Sequence, residues 1–355
     1  MLNIFKTISS VLCLLLLVSP TSTASAKLSG YLDTEFYAGK SSSTFKAHRF
    51  ILHASSQVHE HLFFNSELEF EYGANTNNGG EIKIEQAWLD YSFSDAFIQR
   101  TGIILIPFGR VNILHDSDLR DATMRPIYAK YIVPTTWMDT GVGFRGTLEK
   151  GDWLFTYDAY LINGLNTFSS EQGKGPNESG IRKNRPGFKH DNNQNKAVAA
   201  RLMASPFLGL ELGTSLYHGN YDNDDKHSLS LYGFDVFYKQ GPLELISELA
   251  QVDIEGQHVD QMFGYYVEGR YHLPASGLSF LTRDFAHPVF TLFARYSAVD
   301  TDTSVDNEYD RGQITLGINF RPVESVVYKL EYEWNTELKN ETDNDQFVAS
   351  LAVGF

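Results

Sequence analysis

Between Gly109 and Trp137 the chain sets Arg110, His115, Asp116, Asp118, Arg120, Asp121, Arg125 and Lys130 among apolar residues: Ile113, Leu114, Ile127, Tyr128, Tyr131, Ile132 and Val133. Guanidinium, ammonium and carboxylate groups mixed at this density make a field that attracts or repels small ions, as charged groups in pores do. The stretch is too apolar to wave in water and too charged to face lipid. Backbone outside helix or sheet is tolerated at membrane depth only where it is buried in protein or lines a water-filled cavity. The expectation is that this loop folds into a lumen and forms a pore constriction carrying the charged residues just named.

The elements that must position such a loop are strands. From Leu28 onward apolar residues recur with a period of two, the pattern of side chains alternating between the faces of a strand. The strands read as 28–38, 46–58, 62–72, 81–93, 97–108, 138–149, 152–162, 196–204, 208–218, 227–238, 242–253, 260–272, 288–297, 311–320, 325–335 and 344–355, about sixteen. Leu62, Phe64, Leu68 and Phe70 share one face, and Asn65, Glu67, Glu69 and Glu71 the other. The connections alternate in length. Short ones such as 94–96, 150–151 and 239–241 are expected at one end, and long ones such as 109–137 and 163–195 at the other, as in membrane barrels. The exception is 273–287, long where a short turn is expected; it either shifts the count or plugs part of the mouth.

The last strand ends in Phe347, Ala349, Leu351, Val353 and Phe355 on one parity. In lipid it must close against the first strand, because an open edge leaves unpaired backbone groups where there is no water. Aromatic residues gather near strand ends, with Tyr91, Phe93, Trp153, Tyr328 and Phe355 at one rim and Trp137 and Trp334 at the other. Mean hydropathy is −0.26, too polar for a bundle of membrane helices. The fold class is therefore all-β: a transmembrane antiparallel β-barrel in a single domain, 27–355, with the third external loop folded into the lumen.

Met1–Ala26 reads as a signal peptide: Lys6 for charge, Val11–Val18 as an apolar core, and Ala24-Ser25-Ala26 before the cut. The one cysteine, Cys13, lies inside it, so disulfide and thiol chemistry are not expected of the mature chain. Net charge is −15, and removing 1–26, which holds Lys6 and no acid, leaves −16. That disfavours nucleic acid as a partner. Export through a cleaved leader places the barrel in the bacterial outer membrane, with lipid and lipopolysaccharide around it.

By parity, Arg49, Arg145, Arg201, Arg270, Arg295 and Lys329 face the lumen wall, and so do Glu67, Glu69 and Glu71 with Asp33, Glu35, Asp158, Glu211, Glu244, Glu248, Glu268, Glu331 and Glu333. Acids outnumber bases on that count. The pattern ILIPFGRVNILHDSD, 104–118, followed by RPIYAKYIVPTTWMDTGVGFRG, 125–146, resembles the phosphate-selective porin O and P family. The resemblance is carried by residues 63–164 and the C-terminal strand. It implies a sixteen-stranded outer-membrane channel, commonly a homotrimer, whose third loop and wall offer basic residues to anions. Arg110, Arg120, Arg125 and Lys130 match that role, while Asp116, Asp118 and Asp121 offset them. With Glu67, Glu69 and Glu71 on the wall, the sequence predicts weak cation preference.

Other patterns carry less. Gly141-Val142-Gly143-Phe144-Arg145-Gly146 matches a nucleotide-binding spacing but lies within a strand, so its glycines read as wall packing. His59-Glu60-His61 with His53, and acids such as Asp222-Asn223-Asp224-Asp225, read as solvated turns and loops rather than metal ligands. Neither G-x-S-x-G nor H-E-x-x-H occurs, so no catalytic residue, cofactor or metal is expected. The function expected is a passive porin for small hydrophilic solutes or ions. The alternatives are an anion or phosphate channel of the same family, an outer-membrane enzyme, and an adhesive or structural barrel.

Overall fold

The computed structural model describes residues 25–167, 175–274, 282, 284–339 and 341–355. The leader, apart from Ser25 and Ala26, lies outside the described residues, as does most of the connection 273–287. Sixteen antiparallel strands close into one barrel in which each strand pairs with its sequence neighbours. They are β1 (Ala26–Gly39), β2 (Ser43–His59), β3 (Leu62–Glu71), β4 (Ile82–Ser94), β5 (Phe97–Leu105), β6 (Met138–Lys150), β7 (Trp153–Ile162), β8 (Ala197–Phe207), β9 (Leu210–Asn220), β10 (Ser228–Gln240), β11 (Leu243–Ile254), β12 (Gln261–Pro274), β13 (Val289–Asp300), β14 (Asp310–Val323), β15 (Val326–Glu337) and β16 (Gln346–Gly354). Among the described residues no helix is long and apolar enough to cross a membrane.

Closure rests on the pair β1 and β16, with Tyr31 opposite Gly354 and Gly39 opposite Gln346. Beyond the strand, Phe355 and Gly30 exchange backbone hydrogen bonds of 2.9 and 3.1 Å. The Phe355 ring lies over Gly30, where an added Cβ would stand 2.9 Å from its Cζ and 2.0 Å from the Ile51 carbonyl oxygen. A side chain at position 30 would therefore pry open the seam. Outward residues form an exposed apolar belt that includes Leu202, Phe234, Val267, Leu316, Tyr328 and Leu330. That is the surface a hydrocarbon core requires, since there is no water to match polar groups.

β5 ends at Leu105, three residues before the expected 108. Ile106 still donates to the Trp137 carbonyl at 2.9 Å, but Phe108 N–H turns back onto the Ile106 carbonyl at 2.8 Å, and Pro107 between them has no N–H to continue a ladder. The Gly141 and Gly143 spacing is wall packing: an added Cβ would stand 2.4 Å from the Leu161 carbonyl oxygen or 2.0 Å from that of Ala159.

Of the register shifts along the barrel, four lie beside turns and two lie within strands. On β2 the register slips between Asp33 and Thr34 of its partner, so His48 and Arg49 both turn inward. On β4 it slips between Glu67 and Leu68 of its partner, and the extra residue, Glu85, is fully buried. Such bulges re-aim side chains locally. Here each delivers one more ionisable group to the interior than strict alternation allows.

Candidate functional site

The segment 106–137 leaves the wall after β5 and returns at β6. Asn112 closes its neck: its amide nitrogen donates to the carbonyls of Ile106 at 2.8 Å and Trp137 at 3.1 Å, and its oxygen accepts the Trp137 N–H at 2.9 Å. The segment then bonds to inward-facing side chains on distant strands. Val111 N–H donates to Glu248 on β11 at 2.7 Å. Thr123 and Met124 N–H donate to Glu331 on β15 at 2.8 and 2.7 Å. Lys329 donates to the Ser117 carbonyl, and Arg321 to the Asp118 carbonyl at 2.9 Å. The loop thus crosses the interior from β5 to β14 and β15.

Its two sides differ. Toward β7–β13 the loop side chains Phe108, Tyr128, Ile132, Val133 and Trp137 pack in one dry cluster with Ala197, Tyr217, Leu229, Leu231, Val252 and Met262 of the wall. Trp137 meets Tyr217 edge-on at 4.9 Å. Where they meet the loop, β10 and β11 are apolar on the inner face as well as the outer, through Leu229, Leu231, Ala250 and Val252, while Asp235, Glu244 and Glu248 face inward elsewhere on the same strands.

Three cavities in series also border the loop, the first toward β1, β2 and β14–β16 and the other two against β10–β14. The first, about 520 Å³, opens between the loop and β1, β2 and β14–β16, lined by Arg49, Glu71, Arg120, Arg125, Lys130 and Arg182 among others. It shares Arg120, Met124, Arg125 and Pro126 with a second of about 90 Å³. The second shares Arg110, Leu119, Glu244 and Arg270 with a third of about 1160 Å³, at the end of the barrel where the β14–β15 turn lies. The charged lining of the smallest cavity is Arg110, Arg120, Arg125, Arg270 and Arg295, against Glu244 and Glu268.

These arginines are not equivalent. Arg270 pairs with Glu268 at 2.5 Å, Glu244 at 2.7 Å and Asp121 at 3.2 Å. Arg295 pairs with Glu268 at 3.2 Å, and Arg110 with Glu211. Arg120 instead donates to loop carbonyls, of His115 at 3.1 Å and Thr123 at 2.6 Å, and to the Ser117 hydroxyl at 3.3 Å. Arg125 donates to the His115 carbonyl at 3.2 Å. Neutral acceptors fix the position of a guanidinium and leave its charge uncancelled.

The other expected residues fall as follows. Lys130 is exposed in the first cavity, and Asp118 and Asp121 line the third. Arg201 forms a two-pronged pair with Asp235 at 2.5 and 2.8 Å, and Arg145 stands 3.9 Å from Asp158. Lys329 is buried under the loop. Glu67 and Glu69 face inward as expected, but they have no exposed surface and line none of these cavities, so they are not an open acidic wall. His115 and Asp116 turn toward β3 and β4 beside Glu85, away from the smallest cavity. Sequence reading missed Lys83, Glu85, Arg182, Arg311 and Arg321. The shift of the apolar parity on β4, from Ile82 and Ile84 to Leu89, Tyr91 and Phe93, was the signal of the bulge that buries Glu85.

A closed sixteen-stranded barrel with an apolar belt outside and charged cavities inside defines an outer-membrane channel. The chain belongs to the phosphate-selective porin O and P family, whose match runs over residues 29–354. An uncharacterized protein of Aquifex aeolicus (strain VF5) is 27% identical over 338 residues, 86% of this chain and 74% of that one. Among solved structures, Salmonella typhi OmpF in complex with daunomycin is similar with a TM-score of 0.61 at 12% identity, covering 94% of this chain and 98% of that one. An anion-selective porin from Comamonas acidovorans is similar with a TM-score of 0.59 at 12% identity, covering 94% and 100%. At such identities the likeness is one of fold.

Proposed function

We propose that this porin is a passive diffusion channel for small anions, phosphate among them, with its constriction at the smallest cavity. The observation that carries this is the lining of that cavity: Arg120 and Arg125 lie there with carbonyl and hydroxyl partners and, among the described residues, no carboxylate within ion-pair distance. Charge at a narrow point decides which ion enters, and its reach is about 8–10 Å at physiological salt. Glu67 and Glu69 lie beneath the loop and Glu71 lines the wider first cavity, so the acids expected to favour cations stand away from the smallest cavity. The name of the family and the Comamonas porin lend the same direction.

In this reading the leader Met1–Ala26 is removed on export, the chain termini face the periplasm, and the apolar belt meets lipid, with lipopolysaccharide in the outer leaflet. Assembly as a homotrimer follows the family resemblance. No step of covalent chemistry is required.

The test is a reversal potential in a planar bilayer under a KCl gradient. The wild-type channel is expected to show the anion-selective sign, and the pair Arg120→Gln and Arg125→Gln to move it toward cation preference. A cation-selective wild type, or no movement in the double variant, overturns the reading.

A further inference from the structure

Where the loop covers β3 and β4, Glu67 of β3, Glu85 of the β4 bulge, and His115 and Asp116 of the loop each offer one ligand atom, all within 4.8 Å of one another. We propose that these four residues form a buried site for one divalent transition-metal ion, Zn²⁺ or Mn²⁺, which ties the inner loop to the barrel wall.

The imidazole carries the argument. His115 Nδ1 lies 2.8 Å from the Asn112 carbonyl oxygen. A carbonyl can only accept, so Nδ1 holds the hydrogen and Nε2 of the neutral ring is a bare lone pair. That lone pair faces Glu85 Oε2 at 3.3 Å and Asp116 Oδ1 at 3.5 Å. Acceptor against acceptor is repulsive unless a proton or a metal ion lies between them. A backbone carbonyl that fixes the tautomer and turns the other ring nitrogen toward carboxylates is the arrangement in which histidine serves as a ligand.

A second observation points to the same place. Glu67 has no exposed surface, and while its Oε2 accepts from Gln86 at 2.7 Å, no donor among the described residues reaches its Oε1. A buried carboxylate oxygen left so is costly. Of the nearby cations, Arg49 is placed toward other acids, 3.0 Å from Glu69 and 3.5 Å from Glu71, and Lys83 contacts Glu69 and reaches one of the four, Glu85, at 3.6 Å, a single cation against three carboxylates. Glu67 is 4.0 Å from His53, and Asp116 takes a hydrogen bond from the Tyr31 hydroxyl at 3.2 Å. Negative charge therefore remains in excess at the centre of the four.

Two other clusters of histidine and carboxylate contrast with it. His48 bonds directly to Asp33 at 2.9 Å and pairs with Glu35 at 3.0 Å, and around His272 the carboxylates of Glu244 and Asp121 are already held by Arg270. Neither leaves an imidazole lone pair aimed at unneutralised acids. The donor set also selects the ion: one imidazole nitrogen with carboxylate oxygens suits Zn²⁺ or Mn²⁺, whereas Ca²⁺ and Mg²⁺ favour oxygen alone.

The experiment uses the full-length barrel extracted from outer membranes, stripped with EDTA, loaded with ZnCl₂ or MnCl₂ and desalted before metal analysis. About one ion per chain is expected in the wild type. Glu67→Gln and His115→Gln are each expected to weaken retention at least about tenfold, while Glu244→Gln retains it. Folding of each variant is read from the heat-dependent gel mobility of the closed barrel. A wild type that binds no ion, as it would if His115 were an imidazolium or the acids shared a proton, overturns the proposal, and so does retention unchanged in both variants. If neither variant folds, electron spin-echo spectra of Mn²⁺ in the wild type decide: nitrogen coupling from an imidazole supports the site, and its absence overturns it. Metal content is read independently of current, so the outcome is separate from that of the selectivity test.

Discussion

Glu331 on β15 accepts the backbone N–H of Thr123 at 2.8 Å, a bond that joins the tip of the inner loop to the wall across 208 residues of sequence. The same carboxylate takes the Met124 N–H at 2.7 Å, so one side chain satisfies two adjacent backbone donors. Glu331→Ala leaves both without a partner, at a cost of about 1–3 kcal/mol each. The expected result is a loop tip that moves, seen as raised and noisier single-channel current with the barrel intact. A quiet channel of unchanged conductance would show that the tip is held by its other wall contacts, those of Lys329, Arg321, Asn319 and Ser350.

Trp137 anchors the other side. It is fully buried among Phe108, Tyr217 and the rest of the dry cluster. Trp137→Ala is expected to cost about 3–5 kcal/mol through the lost burial and the cavity left behind, measured as a lower unfolding temperature in detergent. A loss below about 1 kcal/mol would mean that the loop repacks freely.

The barrel was legible because alternation is a property of each strand alone. Ile314, Leu316 and Ile318 announce an outward face whatever lies within. The inner loop was legible from its mixed composition. What the loop does to its surroundings was not, because burial beneath it depends on residues far away in sequence. Glu67 and Glu69 read as open wall, yet the loop covers them. Thr315, on the inward parity of β14, is likewise buried and accepts from Arg295 at 3.3 Å. Leu229, Leu231 and Val252 share strands with lipid-facing residues, and alternation alone has no place for an apolar inner face. The bulges at His48 and Glu85 were written in the shift of apolar parity, a signal that appears only when the parity is followed through the whole strand.

A pH effect is expected at the rim. His258, in the β11–β12 connection, bonds to Glu178 in the connection between β7 and β8. The hydrogen bond that its Nε2 donates to the Glu178 carboxylate is the main cause that raises the His258 pKa above its usual value. A base raised in the folded state adds its stability fully below the unfolded value, about 6.5, and loses it as pH rises through the folded one. Protease cleavage near His258 in intact barrels should therefore be slower at about pH 6 than at about pH 9. His258→Gln should abolish the difference, and an equal rate at both pH values in the wild type would remove this contact from the account.

The lipid-facing assignment is tested by one substitution on each face. Leu316 is 46% exposed at mid-strand on β14, between Ala294 and Tyr332 of its neighbours, and its surface is part of the apolar belt. Leu316→Arg places a charge toward the hydrocarbon midplane and should cost about 2–4 kcal/mol. Gln346 on β16 lines the first cavity and donates to Glu333 at 2.7 Å. Gln346→Arg keeps a donor beside that carboxylate and stays in water, so its cost should lie within about 1 kcal/mol. Unfolding from detergent or lipid bilayers measures both. If the two variants lose equal stability, the face of β14 given to lipid is wrong; if the Gln346 variant alone is unstable, the first cavity is drier than its charged lining requires.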